Sequence, residues 1–161
     1  MSDSDTDHTK TKPNQINGVP LGGIGTGSID MGRDGIARNI TINNNRTAAT
    51  RIPVSPNAFT AIRVSTPRKT RARILQERTN IPFSDAGVDP LFTSKSSLSW
   101  HGLYPTSNYK LKDTLLPVPF QWTAMAPLIP YDNEASNLPI NLQILKFKNT
   151  TEEPITVSAL V

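Results

Sequence analysis

Residues 18–27 read Gly-Val-Pro-Leu-Gly-Gly-Ile-Gly-Thr-Gly, and five of the nine glycines in the chain stand in this short stretch. Gly23, Gly25 and Gly27 alternate, so an extended strand would present all three on one face. A glycine inside a strand gives up packing and costs backbone entropy, and it marks a place where another group comes close to the main chain. The stretch therefore predicts a strip of bare backbone between Leu21 and Ile29, with a bulky neighbour lying on it.

A phosphate-binding loop is the competing reading, and the spacing argues against it. A dinucleotide fingerprint needs Gly-x-Gly-x-x-Gly between a strand and a helix. Counted from Gly23 the third glycine position holds Ser28, and counted from Gly25 it holds Asp30. A Walker A loop requires a lysine after its last glycine, where this chain has Ser28. The following residues, Ile29 to Gly35, read as a strand end and a turn, so no helix N-terminus faces a phosphate.

At 161 residues the chain suffices for one domain with a core. A hydrophobic fraction of 36% together with 14 prolines suits a loop-rich β protein better than a helical one. The absence of cysteine removes disulfides, thiolate metal sites and a cysteine nucleophile. No apolar run approaches the ~20 residues of a membrane span. Residues 1–17 begin with a Ser/Asp/Thr-rich run lacking the basic and apolar regions of a signal peptide; they are expected to be a disordered polar leader, and the protein to be cytoplasmic. The net charge is +4, with an excess at Arg63, Arg68, Lys69, Arg71, Arg73 and Arg78. Nucleic-acid binding would need aromatic residues among these cations, and none lies between Phe59 and Phe83. A solvated face, or an edge strand guarded by charge, accounts for the run.

Nearly every element has the two-residue period of a strand. Ile36, Arg38, Ile40 and Ile42 share one face, and Asp34-Gly35 before them signals a hairpin. Residues 43–57 are polar and carry two prolines, so a long loop is expected there. Strands are expected at 58–65, 71–78 and 95–104, with a loop over 79–93. Val118, Phe120, Trp122, Ala124 and Ala126 lie on one face of a strand, with Gln121 and Thr123 on the other. In the next strand Ile140, Leu142 and Ile144 alternate, then Leu145 and Phe147 continue out of phase, which predicts a β-bulge near Ile144-Leu145. Residues 149–154 read as a hairpin turn into a strand at 155–161. No window predicts a helix. The fold class is all-β, an antiparallel β-sandwich over 18–161. Val161 falls within a strand that is still alternating, so this domain is expected to be incomplete, with structure following it.

The stretches Gly18 to Ile29, Asp34-Gly35, Ile42-Asn43-Asn44, Ala61 to Val64, Tyr104-Pro105, Ala126 to Pro130 and Ser136 to Pro139 occur in an order that resembles a known family. The chain is similar to the N-terminal domain of glycoside hydrolase family 116, the group of the non-lysosomal glucosylceramidase or bile-acid β-glucosidase. The resemblance implies a β-sandwich that supports a catalytic (α/α)₆ barrel, with the barrel itself absent from this chain. It also implies that the catalytic glutamate and aspartate belong to the barrel and have no counterpart here. Where the family often has an aromatic residue before Asn-Asn, this chain has Ile40 and Ile42, so contacts of such an aromatic are not carried over.

Retaining glycoside hydrolysis needs two carboxyls ~5–5.5 Å apart, one of them kept protonated. Asp30 and Asp34 flank a turn, Asp132 and Glu134 sit in a connection, and Glu152-Glu153 occupies a turn; each reads as a solvated or turn-forming acid. His8 and His101 are far apart, so neither a metal site nor a Ser-His-Asp set is indicated. No catalytic residue, cofactor or metal is expected. Residues that could reach the rim of a glycoside pocket are Asn43 and Asn44, on a loop, and Trp100 and His101. Trp100 could stack on a sugar, although a tryptophan in an alternating strand also reads as core. Two functions of different class follow. One is a non-catalytic accessory domain partnered by a helical catalytic domain, touching glycoside only indirectly. The other is a stand-alone carbohydrate-binding or structural interaction module.

Overall fold

A computed structural model of the chain describes residues 18–43, 52–54, 59–76, 89–90, 96–114, 116 and 118–161. Residues 1–17, and most of the expected loops over 43–57 and 79–93, lie outside the described residues. The described strands form three four-stranded sheets. The first contains β1 (Gly18–Leu21), β2 (Gly27–Gly32), β3 (Ala37–Ile42) and β4 (Ile52–Val54) in chain order. The second has β12 (Thr156–Leu160), β5 (Ala61–Ser65), β6 (Thr70–Ile74) and β7 (Asp89–Pro90), with β6 and β7 parallel and the rest antiparallel. The third is an antiparallel sheet in the order β11 (Leu142–Phe147), β10 (Phe120–Met125), β9 (Thr106–Asp113) and β8 (Ser96–Leu103). The all-β sandwich reading holds.

One core joins the three sheets. Val19, Leu21 and Met31 of the first sheet meet Ile62 and Val64 of the second and Tyr109, Leu111, Phe120, Trp122 and Ala124 of the third. Trp122 stacks on Tyr109 with ring centroids 4.3 Å apart, and Phe120 tilts against Phe147 at 5.0 Å. Buried polar groups tie the layers together. Trp100 Nε1 donates to Ser107 Oγ (2.8 Å), Ser107 donates to the Tyr109 hydroxyl (2.9 Å), and Tyr109 donates to the Gly32 carbonyl (2.8 Å), which carries the chain of bonds from the third sheet to the first. Arg73 of β6 donates to Asp113 of β9 through Nε at 2.7 Å, and both side chains are wholly buried.

Several expectations need correction. Gly22 to Thr26 form the loop of the β1–β2 hairpin, so Gly23 and Gly25 do not belong to a strand. The 43–57 segment contains β4, paired to β3. Arg73 is buried in an ion pair rather than solvated, because β6 has neighbours on both sides and Asp113 faces it. Two acids, Asp34 and Asp113, are likewise buried beside arginines. β9 lies in a segment for which the sequence analysis states no element. The bulge near Ile144-Leu145 is absent, since β10 and β11 pair in unbroken register from Phe120↔Phe147 to Met125↔Leu142. The apolar phase slips there because both faces of β11 are apolar: Leu145 and Phe147 pack on the core, while Leu142 and Ile144 are exposed on the other face. Residues 149–154 do not close a hairpin, because β11 and β12 belong to different sheets. One helical turn, α1 (Asn133–Ser136), interrupts the connection before β11, with the Asp132 carboxylate capping it by accepting from Ala135 N–H at 2.9 Å. Among the described residues no helix is long and apolar enough to cross a membrane.

Candidate functional site

The glycine-rich hairpin loop is bare because backbone closes on it from two sides. Thr26 N–H donates to the Gly23 carbonyl at 3.2 Å, and Gly25 takes the third position of this turn with φ +85°, the place where a type II turn demands positive φ. Gly27 opens β2 at φ +114°, and a Cβ there would overlap the Thr41 carbonyl oxygen of β3. A Cβ on Gly23 would lie 2.5 Å from the carbonyl oxygens of both Asn137 and Leu138. The loop is latched to that segment by Ile24 N–H donating to the Ser136 carbonyl at 2.9 Å. The expected neighbour thus exists, and it is main chain of this same protein.

What the loop leaves open is a cleft of about 490 Å³. The glycines line it together with Ser28 and Asp30 of β2, Asn39 and Thr41 of β3, and Tyr104 from the turn between β8 and β9. A β-bulge shapes this wall. The β2–β3 register passes from Ser28↔Thr41 to Asp30↔Arg38, so β3 carries one extra residue opposite Ile29. Asn39 falls in the bulge with φ +51°, a left-handed conformation that asparagine adopts more readily than most residues. Its side-chain Nδ2 donates to Asp30 Oδ2 at 2.7 Å. Beside this pair, Ser28 N–H donates to Thr41 Oγ1 at 3.0 Å, and the two hydroxyls lie 3.3 Å apart.

Among the described residues that line the cleft there is one carboxylate and no lysine, arginine or histidine. Four other carboxylates are engaged elsewhere. Asp34 is gripped by both guanidinium nitrogens of Arg38, one at 2.6 Å, and Asp113 by Arg73. Asp132 caps α1, and Glu153 meets Arg68 at the surface. No group of three or more His, Cys, Asp or Glu that could hold a metal occurs among the described residues. The described lining can exchange neutral and charge-assisted hydrogen bonds, and it includes a single carboxyl.

The four rim candidates are placed as follows. Asn43 follows β3 at φ +53°, is exposed, and donates its N–H to the Thr26 carbonyl at 3.0 Å, so it adjoins the glycine loop. Asn44 lies outside the described residues. Trp100 and His101 point to opposite faces of β8: Trp100 packs against the core, and His101 is exposed in register with Asn108. Neither lines the cleft. Sequence reasoning overlooked Asn39, Ser28, Thr41 and Tyr104 and treated Asp30 as a turn acid. The available signal was Asn39 itself, a residue depleted in strands standing inside an alternating run.

Among protein families, the model described as beta-glucosidase 2, glycosyl-hydrolase family 116 N-term matches residues 18–161. No curated protein matches the chain.

Proposed function

The chain belongs to the N-terminal family of glycosyl hydrolase family 116, and from that premise we propose that it is the non-catalytic sandwich part of a β-glucosidase, seated against a helical catalytic domain. The observation that carries the supporting role is an uncovered apolar stripe. Leu138, Ile140, Leu142 and Ile144 recur at every second position up to and along the edge strand β11, and each is at least 39% exposed. Leu128, Ile129 and Tyr131, in the preceding connection, are exposed as well. An apolar surface of this extent is what a domain interface covers. The stripe begins beside the glycine loop, since Gly23 lies against the Asn137 and Leu138 carbonyls. A catalytic domain seated on it would bring its pocket toward that loop and Asn43. Of the rim candidates, Asn43 is the one this reading uses. The two catalytic carboxyls come from the partner domain.

The test is co-expression of the chain with a family 116 helical domain as a separate polypeptide. The pair is expected to co-purify and to hydrolyse an aryl β-glucoside, while the chain alone does not. Replacing Leu142 and Ile144 with glutamate should abolish co-purification and leave the chain's circular dichroism unchanged. Turnover by the chain alone that a point mutation within it abolishes would overturn the reading, and so would association indifferent to the two glutamates.

A further inference from the structure

The row that carries the apolar stripe along β11 does not end at Ile144. Lys146 and Lys148 follow at the same two-residue spacing, so one face of this segment reads Leu142, Ile144, Lys146, Lys148, and every one of these residues is exposed. We propose that Lys110, Lys112, Lys146 and Lys148, on the outer face of the third sheet, receive an acidic patch of the helical catalytic domain. The proposal rests on the reading that such a domain covers the apolar stripe, and it adds the charge of the surface that does so.

Sheet register gathers these lysines. Lys110 of β9 stands opposite Gln121 of β10, and Gln121 stands opposite Lys146 of β11, so the three form one row across the sheet. Lys112 lies two residues further along β9, and Lys148 N–H donates to the Pro119 carbonyl at 3.4 Å, which continues the next row past the end of β11. From strand spacing and rise, the four lysines root on a rectangle of about 7 by 10 Å. At physiological salt the Debye length is about 8 Å, so an approaching body feels the four charges largely together. None of them pairs with a carboxylate among the described residues. Asp113, next to Lys112 in the chain, turns to the opposite face and is buried against Arg73.

The rest of the face links the lysines to the apolar stripe. The next row holds His101, Asn108, Thr123 and Ile144 in register, and the row beyond it Leu103, Thr106, Met125 and Leu142. The face therefore grades from apolar to basic over about 20 Å, the span of the six residues from Leu142 to Lys148. An interface of standard size, about 800 Å² per partner, is about 30 Å across, so a domain seated on the apolar end reaches the lysines too. It would strip water from their ammonium groups, and carboxylates on its surface are what offset that cost. Opposite charge at one end of the interface and apolar contact at the other also fix which way round the domain sits.

The experiment measures the rate of association of the chain with a family 116 helical domain supplied as a separate polypeptide, from about 20 to about 500 mM NaCl, a range over which screening becomes nearly complete. The rate should fall at least about tenfold across this range. A variant carrying Lys110→Gln, Lys112→Gln, Lys146→Gln and Lys148→Gln changes exposed side chains alone, so it should keep the native circular dichroism spectrum. It should associate at least about tenfold more slowly at low salt and lose most of the salt dependence. A salt-independent rate, or a variant that associates as fast as wild type, overturns the proposal and leaves docking on the apolar stripe standing. No association under any condition overturns both. Phosphatidylserine vesicles and a duplex oligonucleotide are offered in parallel. Tighter binding to either than to the helical domain, lost in the four-lysine variant, would assign the face to a lipid surface or a nucleic acid and overturn the proposal as well.

Discussion

Tyr109 carries a prediction in which a hydrogen-bond network and a titration can be separated. The ring is 1% exposed, and its hydroxyl accepts from Ser107 and donates to the Gly32 carbonyl. In Tyr109→Phe both bonds are lost: Ser107 Oγ still accepts from Trp100 while its own O–H loses its acceptor, and the Gly32 carbonyl still accepts from Gly35 N–H at 2.9 Å. The loss near neutral pH is therefore that of two ordinary buried bonds, about 1–3 kcal/mol, or roughly 2–12 °C in Tm for a chain of this size.

Burial pushes the Tyr109 phenol up to about 12 from 10, the Ser107 bond opposing it. Because the folded pKa is raised, the unfolded chain releases this proton first as pH rises. The stabilisation is complete below about pH 10, declines between about 10 and 12, and is gone above that window. Two pKa steps correspond to about 2.7 kcal/mol, and about half of that is lost at about pH 11. The phenylalanine variant has no such loss, so its deficit should shrink by about 1.4 kcal/mol between neutral pH and about pH 11. Urea unfolding of both proteins, followed by the fluorescence of Trp100 and Trp122 at a series of pH values, measures this difference. A deficit that stays constant up to about pH 11, or that is missing at neutral pH, would refute the reasoning.

Variants at two further places test the framework. Asp113→Ala strips a buried arginine of its ion-pair partner and should cost about 3–5 kcal/mol in urea unfolding, whereas the double change Arg73→Met, Asp113→Leu should recover most of it. Gly27→Ala forces a side chain onto a backbone at φ +114° against the Thr41 carbonyl and should destabilise by about 1–3 kcal/mol, with limited proteolysis showing faster cleavage in the β1–β2 hairpin.

Strand periodicity was legible wherever the inward row is wholly apolar. Phe120, Trp122 and Ala124 of β10 alternate in the sequence and are buried in the structure. β9 escaped notice because its inward row includes Ser107 while Asn108, Lys110 and Lys112 occupy the other; a buried serine makes sense only beside the Trp100 and Tyr109 it bonds. In β11 the pattern overstated irregularity, since sequence alone does not tell which of two apolar faces the fold covers. The glycine stretch announced close backbone contact and its spacing excluded a phosphate loop, but the two-residue period presumed a strand where the chain turns. The Asp30–Asn39 pair depends on one extra residue in β3 relative to β2. Such a register shift belongs to the pairing of two segments and is written in neither.

The latch between Ile24 and Ser136 has a consequence for when the protein becomes competent. Hairpins β1–β2 and β2–β3 consist of contacts close in sequence, so they can form as soon as their residues leave the ribosome. The loop between the first two is held by Asn43 from the start but gains its Ile24–Ser136 latch only once residues 136–138 have also emerged. A nascent chain halted before this point, or one cleaved there afterwards, would keep its early hairpins and lose the latch on the glycine loop.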